Sequence, residues 1–140
     1  GEHGELGHGI FCYQETLAVP LLMRLPGQRP ALSVVNDPVD LVDVLPTTLA
    51  AVGAPVPNHV QGISLLPLLA GKRGPERNLY FESLYAQEDM GGAPLTGLIA
   101  GHRKYIDLPR AECYDLEADP AEPQLLQTDA GAGYRLVERS

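Results

Sequence analysis

The apolar positions of this chain come in short runs closed off by Gly or Pro. The first, Leu17 to Leu25, contains Leu17, Val19, Leu21, Leu22 and Met23 and stops at Pro26-Gly27. It predicts a buried strand, with Pro20 forcing an edge position or a local break in pairing. Gln28 to Pro30 reads as a turn, and Ala31 to Asp37, with Leu32, Val34 and Val35, as a second short strand. The period then changes. Asp43 as N-cap, Pro46 in the first turn, where its missing N–H loses no hydrogen bond, and Gly53 at the far end predict a helix. Its Leu45, Leu49 and Val52 share one face and should pack on the sheet. A start at Asp37-Pro38 competes, but it strands Pro46 mid-helix at a cost of about 3 kcal/mol.

Ala54 to Pro57 is extended linker, and Gly62 to Ala70 predicts a single-turn helix capped by Ser64 with Pro67 inside its first turn. Gly71 to Pro75 is a solvated loop. Asn78 to Tyr85 has the aromatic content of a strand. Gln87 to Pro94, with Gly91-Gly92, reads as a mobile loop. Leu95 to Ala100, Arg103 to Leu108 and Glu112 to Leu116 are then separated by Gly101-His102 and Pro109-Arg110, which predicts an antiparallel meander. Tyr134 to Ser140 reads as a short helix or a frayed tail.

Composition sharpens this picture. A chain of 140 residues suits one domain able to bury roughly two thirds of its unfolded surface. Fifteen glycines and thirteen prolines argue for short elements and many loops and against a helical bundle. A formal charge of -8 leaves no basic stripe for phosphate backbones, so nucleic acid is excluded as a partner. No apolar run approaches the length that a transmembrane helix needs. Cys12 and Cys113 lie far apart without metal-type spacing and read as buried or free thiols, a bridge between them being possible in an oxidising compartment.

Chemistry concentrates at the start. Gly1-Glu2-His3-Gly4-Glu5-Leu6-Gly7-His8-Gly9 is too glycine-rich to pack a core, but it can bring backbone and imidazoles close to a small ligand. Glu2, His3, Glu5 and His8 carry donors suited to a divalent metal, although their spacing matches no helical zinc motif and a solvated loop is the simpler reading. With Tyr13, Glu15, Val19-Pro20-Leu21 and Pro26-Gly27, this stretch resembles the sulfatases, within the alkaline-phosphatase-like hydrolases. The resemblance continues through Asp43-Val44-Leu45-Pro46-Thr47, Gln61 to Leu69, Arg103-Lys104-Tyr105-Ile106, Tyr114-Asp115-Leu116 and Asp119-Pro120.

The resemblance implies an α/β, alkaline-phosphatase-like fragment: edge strands and a helix of the main sheet, then a small antiparallel C-terminal sheet. Residues 1–75 would be the C-terminal part of the catalytic α/β domain, and residues 76–140 a small antiparallel subdomain with a terminal helix or tail. The family's nucleophile, a cysteine matured to formylglycine in a Cys-x-Pro-Ser-Arg-like motif, is not in this sequence. Its metal-binding Asp-His pair would precede Gly1. The chain is thus expected to be the C-terminal portion of a sulfate-ester hydrolase, inactive alone, with a missing N-terminal part of the catalytic domain as its partner.

The resemblance also implies calcium or magnesium in the full-length enzyme, with no metal bound by this portion, and a sulfate-ester small molecule or saccharide as substrate. His8 is then the catalytic and substrate-binding residue, contacting the sulfate and protonating the leaving oxygen. Lys104 is a further substrate contact, while Tyr13 and Glu15 hold the strand entry by hydrogen bonds. Ala18 stands where the family has an arginine. Asp115 and Asp119 are explained by turn chemistry. Two rivals remain: a phosphoryl or phosphonate ester hydrolase or phosphoethanolamine-type transferase of the same superfamily, and a noncatalytic binding or structural module, which Ala18 favours. Bacterial periplasm and cytoplasm are both open.

Overall fold

The structure, a computed structural model, describes residues 3–4, 8–25, 27, 34–123 and 126. It is mixed α/β, with a four-stranded antiparallel sheet in the order β1-β2-β3-β4: β1 (Asn78–Ser83), β2 (Leu95–Ala100), β3 (Arg103–Asp107) and β4 (Glu112–Asp115). The helices are short: α1 (Gln14–Leu17), α2 (Val44–Ala51), α3 (Leu66–Leu69) and α4 (Tyr85–Met90). The chain forms two compact units, residues 20–77 and residues 1–19 with 78–140. The described residues of the opening loop thus belong to the same unit as the C-terminal sheet.

The sheet is the meander that the alternation of residues 95–116 predicts. Gly101 adopts a positive φ of 59° at the first position of the two-residue turn that lets Ala100 pair with Arg103. Register places Leu79, Phe81, Gly97, Ile99, Lys104, Ile106, Glu112 and Tyr114 on one face. Leu79, Ile106 and Tyr114 are buried there. Gly97 lies opposite Phe81, and a Cβ at that position would run into the Phe81 ring and the Tyr105 carbonyl. Glycine leaves the room that the ring occupies there.

Several expectations are corrected. Residues 18–25 form no strand; Gln14–Leu17 is instead one helical turn, with the Leu17 amide donating to the Tyr13 carbonyl at 3.0 Å. An apolar run becomes a strand only where a neighbour offers a ladder, and among the described residues none pairs with it. Leu22 is 88% exposed. Of the second expected strand, residues 34–37 carry no ladder among the described residues, and residues 31–33 lie outside them.

The strand expected over Asn78 to Tyr85 forms as far as Ser83, and the Tyr85–Met90 helix takes its last residue and the start of the expected loop. Gly91 ends it at φ +66°, and the Gly92 amide reaches back to the Ala86 carbonyl at 2.8 Å, so the glycine pair is a helix stop. The tail, residues 134–140, lies outside the described residues.

In the 20–77 unit, Gly53 closes α2 at φ +73°, as its position predicts. The start differs. A 3-10 turn, Leu41–Asp43, precedes the helix, and Asp43 caps none of the α2 amides. Its carboxylate accepts from the amides of Asp40 and Ile63, each at 2.9 Å, and takes both terminal nitrogens of the Arg77 guanidinium. Burial alone would raise the Asp43 pKa, but Arg77 and the two amides outweigh it and hold the carboxyl below its usual range.

Packing follows from this polar hub. The helix buries Pro46 and Thr47, whose hydroxyl donates to the Asp43 carbonyl at 2.6 Å and accepts from the Leu65 amide at 2.8 Å. Leu45 and Val52, expected on a buried face, are 54% and 68% exposed. The single-turn α3 forms with Pro67 in its first turn, as read, and the Leu66 amide makes only a long 3.4 Å contact to the Ser64 hydroxyl.

Candidate functional site

Residues 8–17 run over the inner face of the sheet and open a cavity of about 680 Å³ at the C-terminal end of β1. His8, Glu15, Glu82, Ser83, Tyr85 and Glu88 are among its lining residues, from the loop, α1, β1 and α4. Gly9 has φ +105°, a conformation that side chains resist, so a glycine after His8 is a backbone requirement. The Ser83 hydroxyl donates to the Gly9 carbonyl at 2.5 Å and ties the loop to the strand end. His8 itself is exposed. Among the described residues it is the one basic side chain lining a cavity that Glu15, Glu82 and Glu88 also line.

Beneath the cavity lies a chain of polar and aromatic contacts. The His3 ring stacks on Tyr13 at 3.8 Å between centroids, with Nδ1 3.6 Å from Glu15 Oε1. The Tyr13 hydroxyl donates to Glu112 Oε2 at 3.0 Å, and the Tyr114 hydroxyl donates to the same oxygen at 2.9 Å. Burial, then the charge of Glu112, pushes the Tyr13 phenol up to about 12. The same two causes, burial and Glu112, push Tyr114 upward as well. Both phenols stay protonated and serve as donors.

Lys104 sits behind this layer. Its side chain is fully buried, with Nζ 2.6 Å from Glu122 Oε1 and over the rings of Phe81 at 5.3 Å and Tyr13 at 5.9 Å. Burial pulls the ammonium pKa down, and Glu122 offsets part of that. Strand parity puts Lys104 on the same face as Ile106, while Arg103 faces outward, 3.8 Å from Asp115. The other Glu122 oxygen accepts from the Gln14 amide at 2.6 Å, at the start of α1.

The structure therefore brings His8 and Glu15 to one cavity, places Tyr13 under it, and sets Lys104 in a buried ion pair. Tyr13 and Glu15 hold a helical turn and the His3 ring rather than the entry to a strand. Cys12 and Cys113 are both buried, and burial raises the Cys113 pKa. Sequence reasoning passed over Glu112, Glu122 and Ser83. Ser83 and Glu112 share the inward parity of Lys104, a signal that was available. Glu122 follows the last strand and carries no periodic signal.

The described residues do not fit the calcium or magnesium that the resemblance implies. Such ions ask for about six or more oxygens around one point. Among the described residues, no group of three or more His, Cys, Asp or Glu is placed to hold a metal ion. Of the four residues weighed as a metal cluster, Glu2 and Glu5 lie outside the described residues, and His3 is engaged with Tyr13, Glu15 and the Glu122 carbonyl. Asp115 caps its turn, accepting from the amides of Glu117 and Ala118 at 3.1 and 3.2 Å. No described helix is long and apolar enough to cross a membrane.

Comparison with known proteins agrees with the motif pattern. A family model described as N-sulphoglucosamine sulphohydrolase, C-terminal, matches residues 1–134. Human Arylsulfatase K is 42% identical over 73 residues, covering 48% of this chain and 13% of that protein. The Delta 4,5-hexuronate-2-O-sulfatase of Bacteroides thetaiotaomicron is 29% identical over 128 residues, covering 86% of this chain and 26% of that protein. A solved 2-O GAG sulfatase superimposes with a TM-score of 0.50 at 26% identity, over 62% of this chain and 20% of its own. The chain thus spans only a minor part of the length of the relatives it matches.

Proposed function

The chain belongs to the sulfatase family, in its N-sulphoglucosamine sulphohydrolase C-terminal region, and from that premise we propose that it forms the His8-bearing wall of a sulfate-ester hydrolase site. The family match over residues 1–134, with His8 on the rim of a cavity at the sheet end, carries this reading. In it, His8 contacts the sulfate group and gives its proton to the leaving oxygen as the ester bond breaks. The nucleophile is contributed by polypeptide outside these 140 residues, because neither Cys12 nor Cys113 stands in a maturation motif. A hydroxyl-rich, sulfated saccharide is the substrate class, in keeping with relatives named for hexuronate and GAG sulfates.

The same reading assigns a role to the exposed aliphatic residues of the 20–77 unit. Leu22, Val34, Leu45 and Val52 are all more than half exposed, and they would be covered by the remainder of the catalytic domain. Light scattering on the chain alone should show self-association that grows with concentration. A clean monomer at all concentrations would count against a missing partner.

The test of the site is a titration of inorganic sulfate followed at the His8 imidazole by NMR. A saturable shift at His8, absent from a neutral control solute, is expected. An imidazole that ignores sulfate at every concentration removes the proposed contact. One observation favours a second reading, a noncatalytic module: Glu15, Glu82 and Glu88 line the cavity with His8, and Ala18 stands where the family has a cation. Under that reading the same titration is flat.

A further inference from the structure

We infer that Glu122, held by Lys104, is a positioning residue that clamps both ends of the His8 loop onto the sheet; this rests on the reading of His8 as a substrate contact. Glu122 bonds the chain on either side of His8. Its carbonyl meets His3 Nε2 at 3.3 Å, and its carboxylate accepts from the Gln14 amide at 2.6 Å. Lys104 Nζ, 2.6 Å from the second carboxylate oxygen, fixes the direction in which that group points.

Two features argue that this arrangement is more than packing. A fully buried lysine and glutamate are seldom the most stable way to fill a core, and apolar residues of similar volume generally serve as well or better. Glu122 also has a φ of +59°, the only non-glycine in the left-handed region among the described residues. Backbone in that state persists where the surroundings over-determine it, and here it aims the carbonyl at His3 and the carboxylate at Gln14. With Ser83 holding the Gly9 carbonyl, the loop is tied before, beside and after His8.

The unmutated chain supplies the first test. The Gln14 amide opens a four-residue helix and has no acceptor within it, so protection from hydrogen exchange would report Glu122 alone. It should exchange at least about tenfold more slowly than a free peptide amide; exchange at the free-peptide rate overturns the inference. The second test compares two double variants. Lys104→Met/Glu122→Gln keeps an oxygen facing Gln14 and should retain both its protection and the His8 shift with inorganic sulfate. Lys104→Met/Glu122→Met offers no acceptor and should lose both, while tyrosine fluorescence still shows a folded sheet.

A methionine pair that keeps both signals, or a glutamine variant that loses Gln14 protection while folded, overturns the clamp. Should the methionine pair fail to fold, the Gln14 exchange rate in the unmutated chain and in the glutamine variant still decides. A His8 signal indifferent to sulfate in the unmutated chain sinks the proposed site instead, because Gln14 exchange reads the clamp without any ligand.

Discussion

The unit formed by residues 1–19 and 78–140 holds all six tyrosines and both phenylalanines of the chain, whereas residues 20–77 contain no aromatic residue except His59. The first buries Leu79, Leu95, Ile106, Tyr114 and both cysteines; the second buries Leu65 and Leu68 and leaves Leu22, Val34, Leu41 and Val52 more than two thirds exposed. Each also pairs a buried carboxylate with a cation, and the pairs differ in the same way. Asp43 has four donors around its carboxylate, while Lys104 has one carboxylate oxygen and two ring faces. The aliphatic unit relies on a saturated polar hub where its apolar core is thin. The aromatic unit has core enough to carry an ion pair for another purpose.

The strongest way to break this contrast is Asp43→Ala. It leaves the Arg77 guanidinium and the amides of Asp40 and Ile63 without their acceptor, and removing one partner of a buried pair costs about 3–5 kcal/mol. That is a large share of a domain's stability. Residues 44–51 should therefore lose amide protection while tyrosine fluorescence, which reports only the other unit, stays native. Loss of both signals together would mean that the hub supports the whole chain.

Acid should act on the same group more gently. The folded Asp43 carboxyl titrates below its ordinary value of 3.8, so between the two values the unfolded chain binds more protons. Its contribution is fully present above that ordinary value and disappears as pH falls through the folded one. The urea midpoint of α2 should drop on acidification below about pH 4, and Asp43→Asn should lack that component. A midpoint in the unmutated chain that is flat down to about pH 2 would refute the assignment.

Glycine substitutions sharpen the contrast on a smaller scale. At Gly62 a Cβ would meet only backbone, the Val42 carbonyl and the Asp43 amide; at Gly97 it would meet the Phe81 ring as well as the Tyr105 carbonyl. Overpacking of this kind costs about 1–3 kcal/mol, more where nothing can move. Gly62→Ala should therefore exceed Gly97→Ala in urea-midpoint loss, and Phe81→Leu should recover part of the second deficit. Equal costs, or no recovery, would show that Phe81 does not set the need for glycine at position 97.

What could be read from the sequence divides by how local each signal is. The meander was legible because alternation and the Gly101-His102 turn are local signals, and so was the end of α2 at Gly53. The run at residues 17–25 was not, because an apolar stretch declares that it wants cover but not what covers it. Gly91-Gly92 looked like a loop for a related reason: a glycine pair marks a helix stop only once Tyr85–Met90 is known to be helical. Lys104 shares parity with Ile106, so its inward direction was available; its partner Glu122 was not, since no pattern announces a left-handed glutamate beyond the last strand.

The smallest expected effect is the most telling one for function. His8 is exposed, and among the described residues no contact that holds the loop depends on its ring, so His8→Ala should change stability by less than about 0.5 kcal/mol. The same change should abolish the sulfate-dependent shift, read this time at the neighbouring Gly9 and Ser83 amides, which belong to the loop and the strand end it is tied to. A stability loss as large as that of Gly97→Ala would make His8 a structural residue, while Gly9 and Ser83 shifts that persist without the imidazole would place the anion elsewhere in the cavity. Only unchanged stability together with a lost response is what a substrate-facing imidazole on an independently anchored loop demands.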